Sequence, residues 1–167
     1  MKNNTLLNEL IFLLLKIAFI ILIFVLLLTF LYGAVRYPEV SMSPAIKDGD
    51  LVFFYRYTKK GYLPQDVIAL KHHGQTQIRR VIAIEGDIVN ITDSGLIING
   101  AIQQEPEIFQ ITHRYNEGIS FPLTVPTGEV FVLADSRAGA TDSRIYGTVK
   151  IQDTLGKVMT IIRRRNI

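Results

Sequence analysis

The chain has 167 residues, 49% of them hydrophobic and 20% charged, with a formal net charge of +3. So small an excess does not mark a nucleic-acid-binding protein. Part of it sits in Arg163-Arg164-Arg165, a run that suits a solvated tail or anionic lipid better than a nucleic acid. The sequence holds no cysteine, which excludes disulfides and thiol or cysteine–zinc chemistry and permits a location outside the cytoplasm.

The first element is an uncharged apolar run, Ile17–Val35. A helix of about 19 residues at about 1.5 Å each covers about 30 Å, the thickness of a hydrocarbon core. Lys16 marks its near edge, where a lysine snorkels to the headgroups. Extension back to Leu10 gives a longer, tilted helix. The run is too long for the apolar region of a cleaved signal peptide, and no small-x-small site directly follows it. A permanent anchor is therefore expected. Lys2, Lys16 and the terminal amine favour a cytoplasmic N-terminus, weakly opposed by Glu9 and Arg36. Residues 1–35 are then a cytoplasmic N-terminus and transmembrane anchor, and 36–167 an extracytoplasmic domain large enough for its own core. The protein would be single-pass in the cell membrane.

Past the anchor the chain reads as strands. Leu51–Tyr57, Asp66–Lys71, Ile78–Ile84, Ile88–Ile91, Leu96–Asn99 and Glu129–Leu133 are short and rich in β-branched or aromatic residues. Thr92-Asp93-Ser94-Gly95 reads as a hairpin turn. Ala101–Pro126 carries prolines, glutamates and little periodicity, and reads as an excursion with a short strand around Phe109–Ile111. Val149–Ile162 supplies the closing strands. No outer segment sustains a helical period, so an all-β outer domain with one N-terminal transmembrane helix is expected.

The residues that carry chemistry come in four ordered segments. Ser41-Met42-Ser43-Pro44 closely follows the anchor, so its hydroxyls meet only chains presented at the membrane. Alone, a serine before proline is a turn residue. Gly49-Asp50-Leu51-Val52 comes next, then Arg79-Arg80-Val81-Ile82-Ala83-Ile84-Glu85-Gly86-Asp87. The fourth runs from Pro126 through Asp135-Ser136-Arg137 to Asp142-Ser143-Arg144 and Gly147. In these segments the chain resembles type I signal peptidases of the small Gram-positive, single-anchor kind, a group that includes degenerate, pilus-associated copies. The resemblance implies a serine endopeptidase with a Ser/Lys dyad in a β-fold set on the membrane. Such enzymes remove signal peptides from exported preproteins after small residues one and three places before the cut. Ser41 takes the nucleophile position, and Met42 and Pro44 shape the turn around it. Gly49 and Asp50 open the strand behind the site. The Asp135/Arg137 and Asp142/Arg144 pairs brace it as salt-bridged structure. No cofactor and no metal are implied.

One departure is chemically severe. The family's base is a lysine immediately before the arginine of the third segment, and here that position is Arg79. Arginine side chains titrate at roughly 12.5–13.8, so holding one neutral at pH 7 costs roughly 8 kcal/mol. Burial shifts a group by about 3–5 units at most. Arg79 is not expected to act as a base. Ala140 stands where the family places a serine that orients the lysine amine. Glu39 stands two residues before the nucleophile, where the family places Ser or Gly; its charge opposes a developing oxyanion if it points inward. An ion pair of Glu39 with Arg79 would fill the old site. His72, His73, His113 and Lys71 read as surface residues rather than substitute bases.

Three functions compete. The first is a signal peptidase with an unorthodox base, acting on exported preproteins. The second is a peptidase-like assembly factor or chaperone that binds exported subunits, for example of a pilus, without cutting, with a sortase and membrane lipid as further partners. The third, a self-cleaving repressor protease, is disfavoured by the spanning helix and by the lack of a DNA-binding segment. In the first two an extended peptide would lie beside Ser41 and Arg79–Ile84 as an added strand. Shallow apolar subsites around Met42, Val52 and Ile82 would take small side chains. Phe53, Phe54, Tyr55 and Tyr57 would serve as a membrane-facing rim or, in alternation, as core.

Overall fold

The computed structural model of the chain describes residues 2–56, 61–105, 108 and 110–164. Tyr57, Phe109 and Arg165 lie outside the described residues. The chain divides into two compact units between Tyr32 and Gly33.

The first unit is helix α1, Lys2–Leu31. Its Leu6–Leu31 stretch, whose most apolar 18-residue window has a mean hydropathy of 3.3, is long and apolar enough to cross a membrane. The expected run Ile17–Val35 is corrected at both ends. Apolar side chains continue back past Lys16, which falls inside the span and not at its edge. Tyr32–Arg36 is strand β1 instead of helix. Glycine costs a helix about 1 kcal/mol against alanine. In the strand Gly33 is needed for space, since a Cβ there would stand 2.3 Å from the Phe54 ring.

The second unit is built from antiparallel strands, as the β-branched runs predict. These are β2 Leu51–Tyr55, β3 Val67–His72, β4 Gln75–Ile84, β5 Ile88–Thr92, β6 Gly95–Ile98, β7 Ala101–Ile102, β8 Leu123–Thr124, β9 Glu129–Leu133, β10 Val149–Lys150 and β11 Thr154–Ile162. A one-turn helix, α2 Ser143–Tyr146, lies between β9 and β10. One sheet has the order β1-β2-β11-β3-β4-β9-β10 and the other β7-β6-β5-β8. Thr92 pairs with Gly95 across the hairpin turn expected there. Strand β4 begins at Gln75, earlier than expected, because His73 and Gly74 both adopt positive φ and make a tight turn out of β3. Around Phe109–Ile111 the expected strand is absent at Gln110 and Ile111. There the Gln110 side chain accepts from the Ala138 backbone, which ties the excursion to the loop after β9.

Strands β3, β4 and β9 are covered on both faces, which is why they read as continuous apolar runs. Ile68, Leu70, Val81, Val130 and Val132 pack in one cluster. Ala69 and Ile78 face another, with Tyr37, Met42, Ile46, Val52 and Phe54. Ile82, Ala83, Phe131 and Leu133 meet Val89, Ile91 and Leu96 of the smaller sheet in the third. In β2 the burial alternates: Val52 and Phe54 are core, while Phe53 and Tyr55 are half-buried on the opposite face.

Candidate active site

Ser41 sits in a turn that its own neighbours hold. Met42 is fully buried beneath it, while Pro44 lies exposed on the far side. Ser43 N–H donates to Val40 O at 2.9 Å and Ile46 N–H to Met42 O at 2.8 Å. The Ser41 carbonyl accepts from Ser136 N–H at 2.9 Å, which fixes the turn to the segment after β9. On the upstream side Tyr37 N–H donates to Asp50 O at 2.8 Å and Gly49 N–H to Tyr37 O at 2.7 Å. Gly49 has φ +83° and Asp50 is buried, so the second sequence segment locks the stretch after β1 that leads into the serine.

Three side chains meet the Ser41 hydroxyl. Glu39 Oε2 lies 2.8 Å from Oγ, the Tyr37 hydroxyl 2.7 Å, and Arg79 Nη1 3.0 Å. A carboxylate only accepts and a guanidinium only donates. The single Ser41 proton therefore goes to Glu39, and Tyr37 and Arg79 donate to the two lone pairs of Oγ. Tyr37 O–H also lies 3.4 Å from the same Glu39 oxygen. Burial pushes the Tyr37 phenol above its ordinary range, against the pull of the Ser41 hydrogen bond and Arg79.

Arg79 projects from β4 and is 1% exposed. Its Nε and Nη2 donate to Thr141 O at 3.1 and 2.9 Å, and Nη1 donates to Ile78 O at 2.6 Å. The ion pair with Glu39 is present at 3.5 Å, between a buried guanidinium and a carboxylate 31% exposed. Ala140 is buried. The carbonyl of its neighbour Thr141 holds the Arg79 cation, one position past the place where the family's serine would orient a lysine.

Behind the site lies a braced arginine layer. Asp142, with no exposure, accepts from Arg144 Nε and Nη2 at 2.9 and 2.8 Å and from the Arg144 and Ala134 backbones at 3.1 and 3.2 Å. The expected Asp135/Arg137 pair is corrected. Asp135 pairs with Arg80 at 2.6 Å, because register sets Arg80 opposite Leu133 on the neighbouring strand. Arg137 turns inward instead, to Glu105, Thr112 Oγ1 and Ala134 O. Its burial pulls the guanidinium down from its ordinary range, and Glu105 opposes that.

Other expected site residues lie apart. Val52 is fully buried and Ile82 nearly so, in separate core clusters, so they do not share an open groove. His113 lends only its backbone carbonyl, to Arg144. The His72 ring lies 4.2 Å from that of Tyr146 and makes no hydrogen bond to Ser41 among the described residues. Among the described residues no group of three or more metal-ligating side chains is gathered. Sequence reasoning missed Tyr37 and Thr141. For Tyr37 a signal existed: Tyr37, Glu39 and Ser41 alternate, a spacing that sets side chains on one side of an extended chain.

The family model for signal peptidase, peptidase S26, matches residues 10–163. The thylakoidal processing peptidase 1 of Arabidopsis thaliana is 29% identical over 144 residues, with 72% of this chain aligned to 38% of that protein. Signal peptidase I of Streptococcus pneumoniae is 28% identical over 171 residues, covering 77% of this chain and 80% of its own length. The crystal structure of a signal peptidase I from Enterococcus faecalis matches with a TM-score of 0.50 and 31% identity, over 62% of this chain and 100% of that one. The chain thus spans little over a third of the plant relative but most of the bacterial ones. With a family match over nearly all its length, on a β domain following an apolar helix, the chain belongs to the type I signal peptidases of peptidase family S26.

Proposed function

We propose that this protein is anchored in the cell membrane by α1, with residues 36–167 on the outer face, and receives the signal-peptide region of exported preproteins at Ser41. The cationic Lys2, on the N-terminal side of the span, supports that orientation. The family's Ser/Lys route is absent. The observation that carries this reading is the guanidinium of Arg79, whose nitrogens donate to Thr141 O, Ile78 O and Ser41 Oγ and have nothing to accept a proton with.

The substrate lies extended along β4. Strand β9 pairs with β4 only from Arg80 to Ile84. The same side of Gln75–Ile78 has no strand partner among the described residues, and this open stretch leads to Arg79 and Ser41. An added strand there gains main-chain hydrogen bonds. Of the stretch Arg79–Ile84, where an added strand was expected, Arg80–Ile84 already pairs with β9 on that side.

A second reading is favoured by the two donors already on the Ser41 lone pairs. In it the bound chain is held and released uncut, as an assembly factor would do for pilus subunits passed to a sortase. Both readings share one test of binding. The full chain in detergent micelles is titrated with a synthetic signal peptide and with the same peptide N-methylated at alternate residues. Strand addition predicts that N-methylation removes binding. Equal binding of both peptides, or of neither, contradicts it.

A further inference from the structure

We infer that Glu39 is the proton acceptor for Ser41, so that a Ser/Glu pair stands where the relatives' Ser/Lys dyad would be. This rests on Ser41 being the nucleophile toward a bound preprotein, as proposed above. The geometry meets the first requirement of a general base, hydrogen-bond reach of the proton it takes: Oε2 is 2.8 Å from Oγ. The same carboxylate oxygen faces Arg79 Nη1 at 3.5 Å and Tyr37 O–H at 3.4 Å. Glu39 is thus turned inward and aimed. Arg79, tied to Thr141 and Ile78, holds its charge 3.0 Å from Oγ, the attacking oxygen.

The step balances without any further group. The Ser41 proton passes to Glu39 Oε2 as Oγ bonds to the scissile carbonyl carbon and the carbonyl π pair moves to its oxygen. Collapse breaks the C–N bond, and the proton on Glu39 passes to the leaving nitrogen. Glu39 then takes a proton from water as that water attacks the acyl ester, and returns it to Oγ. Charge also balances in space. Glu39 at this position would repel an oxyanion, but it is neutral while the oxyanion exists. The Tyr37 hydroxyl, displaced from Oγ by the incoming carbonyl, stays beside the site as a neutral donor.

The groups facing Glu39 are Ser41, Tyr37 and Arg79, and Tyr146 of α2 feels its charge together with those of Arg79 and Asp142. Burial raises both phenols, so they stay protonated through the acid and neutral range. His72, against Tyr146, is lowered by burial first and then by His73 and Arg79. A carboxylate base works once it is ionised, a lysine or histidine base once it is neutral. Acid conditions therefore separate them.

The test uses the full chain in detergent micelles with a fluorogenic signal peptide at acid and neutral pH. Wild type, Ser41→Ala, Glu39→Gln, Glu39→Asp and His72→Gln are compared, with peptide affinity measured on each. Expected is Ser41-dependent hydrolysis at pH 5.5 within about a factor of two of that at pH 7. Glu39→Gln lowers the rate by about 10² to 10⁴ while peptide affinity is kept, since that is the range general-base groups contribute. Glu39→Asp restores part of the rate, and His72→Gln changes nothing. Peptide bound without Ser41-dependent hydrolysis overturns the Ser/Glu pair and leaves the binding function standing, as does an unchanged Glu39→Gln rate. Absence of peptide binding in wild type overturns the binding function, and the pair with it.

Discussion

Two arginine clusters stand in the outer domain, and they differ in what their cations face. Behind the site, Arg144 meets Asp142, a carboxylate with no exposure that is also bound by two backbone amides. At the site, Arg79 meets carbonyl oxygens, the hydroxyl of Ser41 and the more distant, partly exposed Glu39. The first arrangement satisfies every acceptor internally and has no task beyond holding α2 and the loop after β9 in place. The second leaves a carboxylate oxygen shared among three donors, at the place where a substrate would enter. The same residue type is locked to a buried carboxylate in one setting and set against a serine hydroxyl in the other, and the partners decide which.

Breaking the rear cluster has the largest expected effect. Asp142→Ala strands a buried guanidinium and uncaps α2, so it lowers stability by about 3–5 kcal/mol in denaturant titration. A change near zero would mean the layer is not a brace. Next comes the double variant Glu39→Gln with Arg79→Lys. It removes the carboxylate that would keep an introduced amine protonated, so hydrolysis reappears with an alkaline rise. Arg79→Lys alone, with Glu39 still present, does not produce that rise. If it does, Glu39 does not control the charge at this position. Tyr37→Phe deletes one donor to Oγ and is expected to cost about 1 kcal/mol of stability. The smallest effect concerns pH and His72. Its pKa is lowered on folding from 6.5. The unfolded chain thus binds more protons below that value, and stability is lost as pH falls through this window. His72→Gln flattens the acid limb slightly, read from melting temperature against pH.

Much of this was legible in the sequence, and the misses have physical causes. The strands were legible because β3, β4 and β9 are buried on both faces and so carry unbroken apolar runs. The helix end was not, because Tyr32–Val35 is as apolar as the anchor and only the approach of Phe54 to Gly33 settles the strand. Arg79's chemical limit followed from arginine alone. The partner of Asp135 did not, because chain proximity suggests Arg137 while cross-strand register delivers Arg80. Glu39 was legible as a charge near the nucleophile. Its direction was not, because that depends on Arg79 arriving from β4 to meet Tyr37 in the segment after β1.

The most direct measurement is the slope of log rate against pH for Ser41-dependent hydrolysis by the unaltered protein from pH 5 to 8. A carboxylate acceptor beside a permanently charged Arg79 predicts a flat line. A rate climbing about tenfold per pH unit across the whole range, as a base still protonated at about pH 8 requires, would contradict Glu39 as the proton acceptor.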